Sequence, residues 1–349
     1  MQLSKSQLIA SSLAVIMLSV GLFSVLDETS KNHEAIKIPT EVYTLFSKWK
    51  LKYGFSTKTP AELAYRLKVF YNSYREVREL RERYPDAKFE LNVFSALSME
   101  EFKKGYTGIG KNEAQASQSA PAGLGAATKP ALPASKTVTL GPVKNQGLCQ
   151  ASWAFAAVAV IESKIGGGAT FSEQNLMACS GTICSFNTAS QALQTAKTYG
   201  FTTEFNSPWK GTYTTCQRNN QIPLKYWRQV YDSKPSGGAA FDWKTLILQP
   251  LVNENTAVAV AVYGGTAAFK SYAGGVYPND SCGLGEADHY VTVVGFTDSG
   301  ATVTARNSWG TAWGAQGLIT YKPDGKSCLC GFSSMDGSLC SFAYLSNTA

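Results

Sequence analysis

The chain begins with an unbroken apolar stretch, residues 8–26 (LIASSLAVIMLSVGLFSVL), between a short polar lead carrying Lys5 and the polar run DETSKNHE. That order reads as a secretory signal peptide, and its 19 residues are also long enough for a retained signal anchor. Both readings place the rest of the chain outside the cytosol, with membrane contact only if the apolar run is kept. From residue 40 to 105 the pattern changes to helical spacing. Phe46, Trp49 and Tyr53 recur three and four residues apart, as do Leu63, Leu67, Phe70, Tyr74 and Val77. Each stripe predicts a helix with one buried face, and Thr59 before Pro60 marks where the second begins. Residues 106–134 are rich in Gly, Ala, Ser and Pro, cannot build a core, and read as an exposed linker open to proteolysis. Beyond them, WAFAAVAVIESKI after Ser152 reads as a buried helix. AVAVAVY (257–263), YVTVVGF (290–296) and ATVTARN (301–307) read as strands. The predicted fold class is α+β, with one mixed domain over 135–349.

Composition narrows the function. Of 349 residues, 44% are hydrophobic and 16% charged, enough for a real core and too apolar for a wholly disordered chain. The net charge of +7 is thinly spread: 17 Lys/Arg against 13 Asp/Glu over 27–131, and 14 against 12 beyond. With no basic cluster, nucleic acid is excluded as the expected partner. There are two histidines, which argues against a His-rich metal site, and no metal or cofactor is expected. All eight cysteines lie after residue 148, an even count that predicts a disulfide-bonded domain in an oxidising compartment.

Three separated segments carry candidate chemistry. In VKNQGLCQASWAF (143–155), Gln146 offers a side-chain N–H, and Ser152 stands at a helix start, where the local potential is positive. ADHYVTVVGF presents His289 at the head of a strand. It is the only histidine after residue 33, so imidazole chemistry in this domain must use it. ARNSWGTAWG presents Asn307 at a strand end. A nucleophile, a base and an orienting group drawn from distant elements follow the logic of a catalytic triad.

These blocks resemble the signatures of the papain family of cysteine peptidases, cathepsin L-like branch. SEQNLMACS (172–180) is similar to the family's second helix, and AVAVAVYGGTAAFKSYAGGVY (257–277) to its central strand and following turn. Glu62, Arg66, Phe70 and Val77 keep the spacing of the family's inhibitory pro-helix, and Asn92 and Phe94 match its short pro-strand. The resemblance covers about residues 43–345. It implies a two-lobed papain-like fold, with a helical left lobe and an antiparallel, β-barrel-like right lobe, preceded by a helical pro-domain. Residues 27–105 would be an inhibitory pro-segment, 106–134 a linker with the processing site, and 135–349 the peptidase domain. It casts Gln146 as oxyanion donor, His289 as base and Asn307 as its orienter. It also implies disulfides Cys149–Cys184, Cys179–Cys216 and Cys282–Cys330, leaving Cys328 and Cys340 for a fourth. The implied partners are peptide or unfolded protein and the chain's own pro-segment. The implied setting is a monomer in an extracellular or lysosome-like compartment.

The sequence departs from the family at the decisive place: Ser152 stands where the family has its nucleophilic cysteine. A cysteine there is ionised by the histidine, with a pKa that falls to roughly 3–4. A serine hydroxyl needs general-base help during attack, and in the serine-protease template an amide in place of the orienting carboxylate costs about 10⁴ in kcat. Gln150 and Ala151 replace a family Gly and Ser, putting a bulky amide beside the nucleophile. Ser185, Phe186 and Asn187 replace an Asn-Gly-Gly run whose backbone binds peptide, and their side chains are expected to obstruct it. Ala96 replaces a pro-segment aspartate. The expected function is therefore an impaired or inactive peptidase homologue made as a secreted zymogen. The alternatives are an active endopeptidase using Ser152, a silica-condensing role such as that of the sponge silicateins, and an engineered Ser152 in a normal cysteine peptidase.

Overall fold

Thr59 and Glu62 set the start of the long helix predicted upstream. The Thr59 hydroxyl accepts the Glu62 N–H at 3.1 Å, and the Glu62 carboxylate accepts the Lys58 N–H at 2.8 Å, a reciprocal cap on either side of Pro60. The computed structural model describes residues 37–108, 131–166, 168–185, 187–219, 221–224, 244–278, 287–323 and 342–345. The apolar run 8–26, most of the linker, Phe186, and Cys282, Cys328, Cys330 and Cys340 lie outside the described residues.

Helices α1 (Thr40–Tyr53) and α2 (Pro60–Arg83), with Glu90–Ser98, form one compact unit. Its core is the two predicted stripes meeting: Val42, Phe46 and Trp49 pack with Leu67, Phe70 and Ala96. Phe46 and Trp49 lie 5.1 and 5.5 Å from the Phe70 ring. The Trp49 indole donates to the Asn92 carbonyl at 2.6 Å. Gly54, at φ 61°, closes α1 in the left-handed conformation that glycine adopts without strain. Arg66 donates to the Ala96 carbonyl at 3.0 Å, so the backbone serves at a position that lacks a carboxylate.

The second unit holds Tyr84–Phe89 and everything from Met99 onward. Its helices are α3 (Met99–Tyr106), α4 (Ser152–Ile165), α5 (Glu173–Ser180), α6 (Ala189–Tyr199), α7 (Gln249–Asn253) and α8 (Ala267–Ser271). Its strands are β1 (Ala87–Phe89), β2 (Lys136–Thr137), β3 (Val258–Val262), β4 (Tyr272–Tyr277), β5 (His289–Thr297), β6 (Thr302–Arg306), β7 (Leu318–Tyr321) and β8 (Phe342–Ala343). They form a sheet in the order β1-β4-β7-β6-β5-β3-β8, with β2 also paired to β5. The pairing is antiparallel except for β4 with β7, because the β5–β6 hairpin intervenes and returns the chain in the same direction. β1 joins this sheet through β4, and α3 continues to Tyr106, inside the stretch read as linker.

α4 is apolar on every side from Trp153 to Ile161 and is buried from Ser152 to Ser163, with Glu162 as the charged residue within it. It packs against α5, α6, β3 and β5, and Trp153, Ala157, Val160 and Ile161 share one buried cluster with Ala259, Ala261 and Tyr290. α5 and α6 are capped by Ser172 and Thr188, whose hydroxyls accept the Asn175 and Gln191 N–H groups. Cys149–Cys184 and Cys179–Cys216 are bonded, the two pairings of the resemblance that fall on described residues.

Candidate active site

The four predicted residues converge where the head of α4 meets the sheet. Ser152 is the first residue of α4 and His289 the first of β5, while Asn307 follows the last residue of β6. Gln146 is pinned beside them by its backbone N–H to the Ser308 carbonyl, 2.8 Å. All four are nearly inaccessible: 1% for Gln146, 3% for Ser152, 0% for His289 and 3% for Asn307.

His289 and Asn307 form a directed pair. His289 Nε2 lies 2.7 Å from Asn307 Oδ1, which also accepts the Ser308 N–H at 2.7 Å. The backbone N–H fixes Oδ1 as an acceptor, so Nε2 must carry the ring proton and Nδ1 holds the lone pair. Trp309 covers the ring at a centroid distance of 4.5 Å, and Phe269 closes it at 6.0 Å. Burial under these aromatics drives the His289 pKa down to about 4; the bond to Asn307 and the Tyr106 carbonyl, which faces the ring, oppose that shift.

Ser152 Oγ accepts the Tyr290 N–H at 3.2 Å, and His289 Nδ1 makes no well-formed hydrogen bond. Nucleophile and base are adjacent but not engaged. The Gln146 side chain donates to the Cys149 carbonyl at 2.7 Å and the Tyr106 carbonyl at 3.3 Å, while its Oε1 accepts the Ser308 hydroxyl at 2.6 Å. A carbonyl thus already lies before the donor predicted to meet an oxyanion. It belongs to the strap formed by α3 and Thr107–Gly108, which also stacks Phe102 and Tyr106 edge-on to Trp309 at 5.2 and 6.1 Å.

Two contributors escaped sequence reading. Ser308 orients both amides, Gln146 through its hydroxyl and Asn307 through its N–H. Asp288 folds its carboxylate onto the N–H groups of Gly264 and Gly265 at 2.6 and 3.2 Å. Burial raises its pKa to about 6 against those bonds, the Thr107 hydroxyl and Lys103. Both residues sit inside quoted blocks, DHY and RNSW, which were the available signal. The expected obstruction is not seen at Asn187, whose side chain turns into its own loop to bond Thr182 and the Thr188 N–H. Ser185 presents its carbonyl to the Trp153 indole at 3.1 Å.

A ring titration checks the electrostatics. Because the folded pKa of His289 lies below its ordinary 6.5, the neutral ring's contribution to stability is complete above pH 6.5 and is lost as pH falls through about 4. NMR of labelled histidine in the full chain is expected to show the Nε2–H tautomer at pH 6, with a midpoint near 4. A midpoint at 6.5 would mean that the ring meets water.

Fold and arrangement together define a peptidase-type zymogen: a helical segment ahead of a domain that sets an imidazole–amide pair beside a helix N-terminus. The sequence matches the papain family cysteine protease domain over residues 132–337 and the cathepsin propeptide inhibitor domain (I29) over residues 46–102. It is 32% identical to a senescence-specific cysteine protease of Arabidopsis thaliana, over 82% of this chain and 86% of that one. It is 29% identical to papain of Carica papaya, over 92% of each. Digestive procathepsin L2 of Tenebrio molitor superposes with a TM-score of 0.71 at 26% identity, over 87% of this chain and 99% of that one. The chain belongs to the papain family of cysteine proteases and carries the family's inhibitory propeptide as its own intramolecular inhibitor.

Proposed function

We propose that this is a papain-like zymogen of the secretory pathway whose peptidase domain binds peptide or unfolded protein but hydrolyses it poorly, because Ser152 occupies the nucleophile position. The carrying observation is the state of the Ser152 hydroxyl, which accepts the Tyr290 N–H while the imidazole beside it is held neutral. Serine attack requires His289 to become an imidazolium in the transition state. Burial opposes that charge, and behind the ring stands the neutral amide of Asn307. A cysteine avoids the difficulty, since thiolate and imidazolium form as a pair and stabilise each other.

An active endopeptidase using Ser152, His289 and Asn307 is the second reading, and one observation favours it: Asn307 Oδ1 engages Nε2, so the proton belongs on Nε2 and Nδ1 is the basic nitrogen. The two readings separate in one assay, in which the chain is cut within 109–130, the pro-segment is washed away, and turnover of unfolded protein is followed. Turnover at background level is expected. Robust cleavage that disappears in His289→Ala would establish the second reading.

A further inference from the structure

The strand pair β1–β4 joins a piece of the pro-segment to the peptidase sheet. β1 lies within the residues that match the propeptide domain, 46–102, and it is the outermost strand at its end of the sheet. Ala87 faces Gly275, Lys88 faces Gly274 and Phe89 faces Tyr272, antiparallel, with Ala273 left over as a bulge. The Val276 N–H donates to the Asp86 carbonyl at 3.1 Å. Gly275, at φ 74°, has no side chain to hold the incoming backbone away. A Cβ there would stand 3.1 Å from the Ala87 Cα and closer still to the Asp86 carbonyl oxygen. The Tyr272 hydroxyl donates to the Gly275 carbonyl at 2.7 Å, so this edge of β4 is shaped by its own residues. The strand laid on it alternates: Ala87 and Phe89 are buried, at 7% and 1% exposure, and Lys88 between them is exposed.

Loss of the pro-segment uncovers this edge. The Val276 N–H and the Gly274–Gly275 backbone then lose their partner strand, and an unpaired strand edge is a template for another chain. We infer that the β4 edge is a second peptide-binding site of the processed protein, which uses none of the four candidate catalytic residues. It adds an extended segment as an antiparallel strand, and it takes segments with a small residue followed two positions on by an aromatic one, the pattern of Ala87 and Phe89. The inference rests on the peptide-binding role proposed above and names where and how such a ligand is held. Main-chain bonds supply the binding, and the two inward side chains supply the choice. The aromatic position is the anchor, because it buries the most apolar area that so short a strand can offer. The small position is set by closure, since a longer side chain in place of Ala87 would overpack a filled site. The exposed position between them accepts any residue. The bulge at Ala273 limits the ladder, so the edge takes a short segment and does not grow into a larger sheet. A poor peptidase thereby gains a means of holding unfolded protein that does not pass through Ser152.

The Val276 amide reports the site by hydrogen exchange, with the β5 and β6 amides as a control for intact folding. The edge is opened in two ways. Phe89→Asp in the full chain places a charge at the anchor position; cutting within 109–130 and washing the pro-segment away needs no substitution, and decides the matter should Phe89→Asp fail its folding control. Each opening is expected to speed Val276 exchange about tenfold or more. Two peptides are then added, TSTSATFTST and its counterpart without the aromatic residue, TSTSATATST. At saturation the first is expected to slow Val276 exchange about tenfold, and the second less than about twofold. Equal protection by both peptides, protection by neither, or binding of the first that leaves Val276 exchange unchanged would overturn the inference. So would a Val276 amide that neither opening speeds. Hydrolysis is not measured in either arm. An active Ser152 would therefore sink the impaired-peptidase reading and leave this result standing, whereas an edge that binds nothing would leave that reading intact.

Discussion

Ser152→Cys is expected to raise peptidase turnover by at least about 10³-fold over the chain as it stands, with both forms freed of the pro-segment. The magnitude follows from the charge that each nucleophile must create. For serine, His289 has to take the proton as the bond forms, in a site whose burial holds the ring's pKa near 4 and whose orienter is an amide. Replacing a carboxylate by an amide in this role costs about 10⁴ in the serine-protease template. For cysteine the proton has already moved, and the sulfur anion beside the ring replaces the missing carboxylate. The same variant therefore carries a spectroscopic signature: the His289 midpoint should climb from about 4 to above neutrality in Ser152→Cys, because the thiolate now stabilises the imidazolium. If Ser152→Cys shows that shift but no turnover, the cleft is closed to substrate. If the serine chain matches the cysteine variant, the impaired-peptidase reading fails.

The large elements were legible because each is written in a single pattern. α4 follows from a run apolar on every side, and α2 from one stripe plus the Thr59–Glu62 start. β3, β5 and β6 follow from their β-branched runs. The placing of Gln146, Ser152, His289 and Asn307 came from the resemblance, since no local rule predicts that the heads of α4 and β5 meet. What stayed hidden depends on contacts between distant elements. The bonds from Ser308 to two amides, the turn of Asp288 onto Gly264 and Gly265, and the reach of Gln150 to Lys104 are such contacts. Tyr106–Gly108 are compositionally the edge of a Gly-rich stretch, yet their order comes from partners in the peptidase unit: Gln146 and Trp309 for Tyr106, Asp288 for Gly108.

Glu162→Ala is expected to destabilise the peptidase unit by about 3–5 kcal/mol, the usual consequence of removing one partner from a buried ion pair. Glu162 is the charged residue within the buried face of α4, with a side chain 0% exposed. Its carboxylate meets Lys144 at 3.0 Å and the Phe171 N–H at 3.3 Å through one oxygen, and Arg306 at 3.2 Å through the other. Lys144 lies two residues before Gln146 and Arg306 one before Asn307, so a single carboxylate braces three of the four elements that carry the candidate site. The two cations would not suffer equally. Lys144 keeps Glu173 at 2.8 Å, whereas Arg306 keeps the Gly141 carbonyl at 3.0 Å but no carboxylate, and its charge is left buried and uncompensated. A second substitution isolates that cause: Arg306→Met added to Glu162→Gln removes both charges and should recover more than half of the loss seen in Glu162→Ala. Urea unfolding of the parent chain, Glu162→Ala and the double variant measures the loss and its recovery, with the His289 ring shift as a readout of site geometry. A loss below about 1 kcal/mol in Glu162→Ala, or a double variant as unstable as the single, would mean that apolar packing of α4 alone positions Ser152.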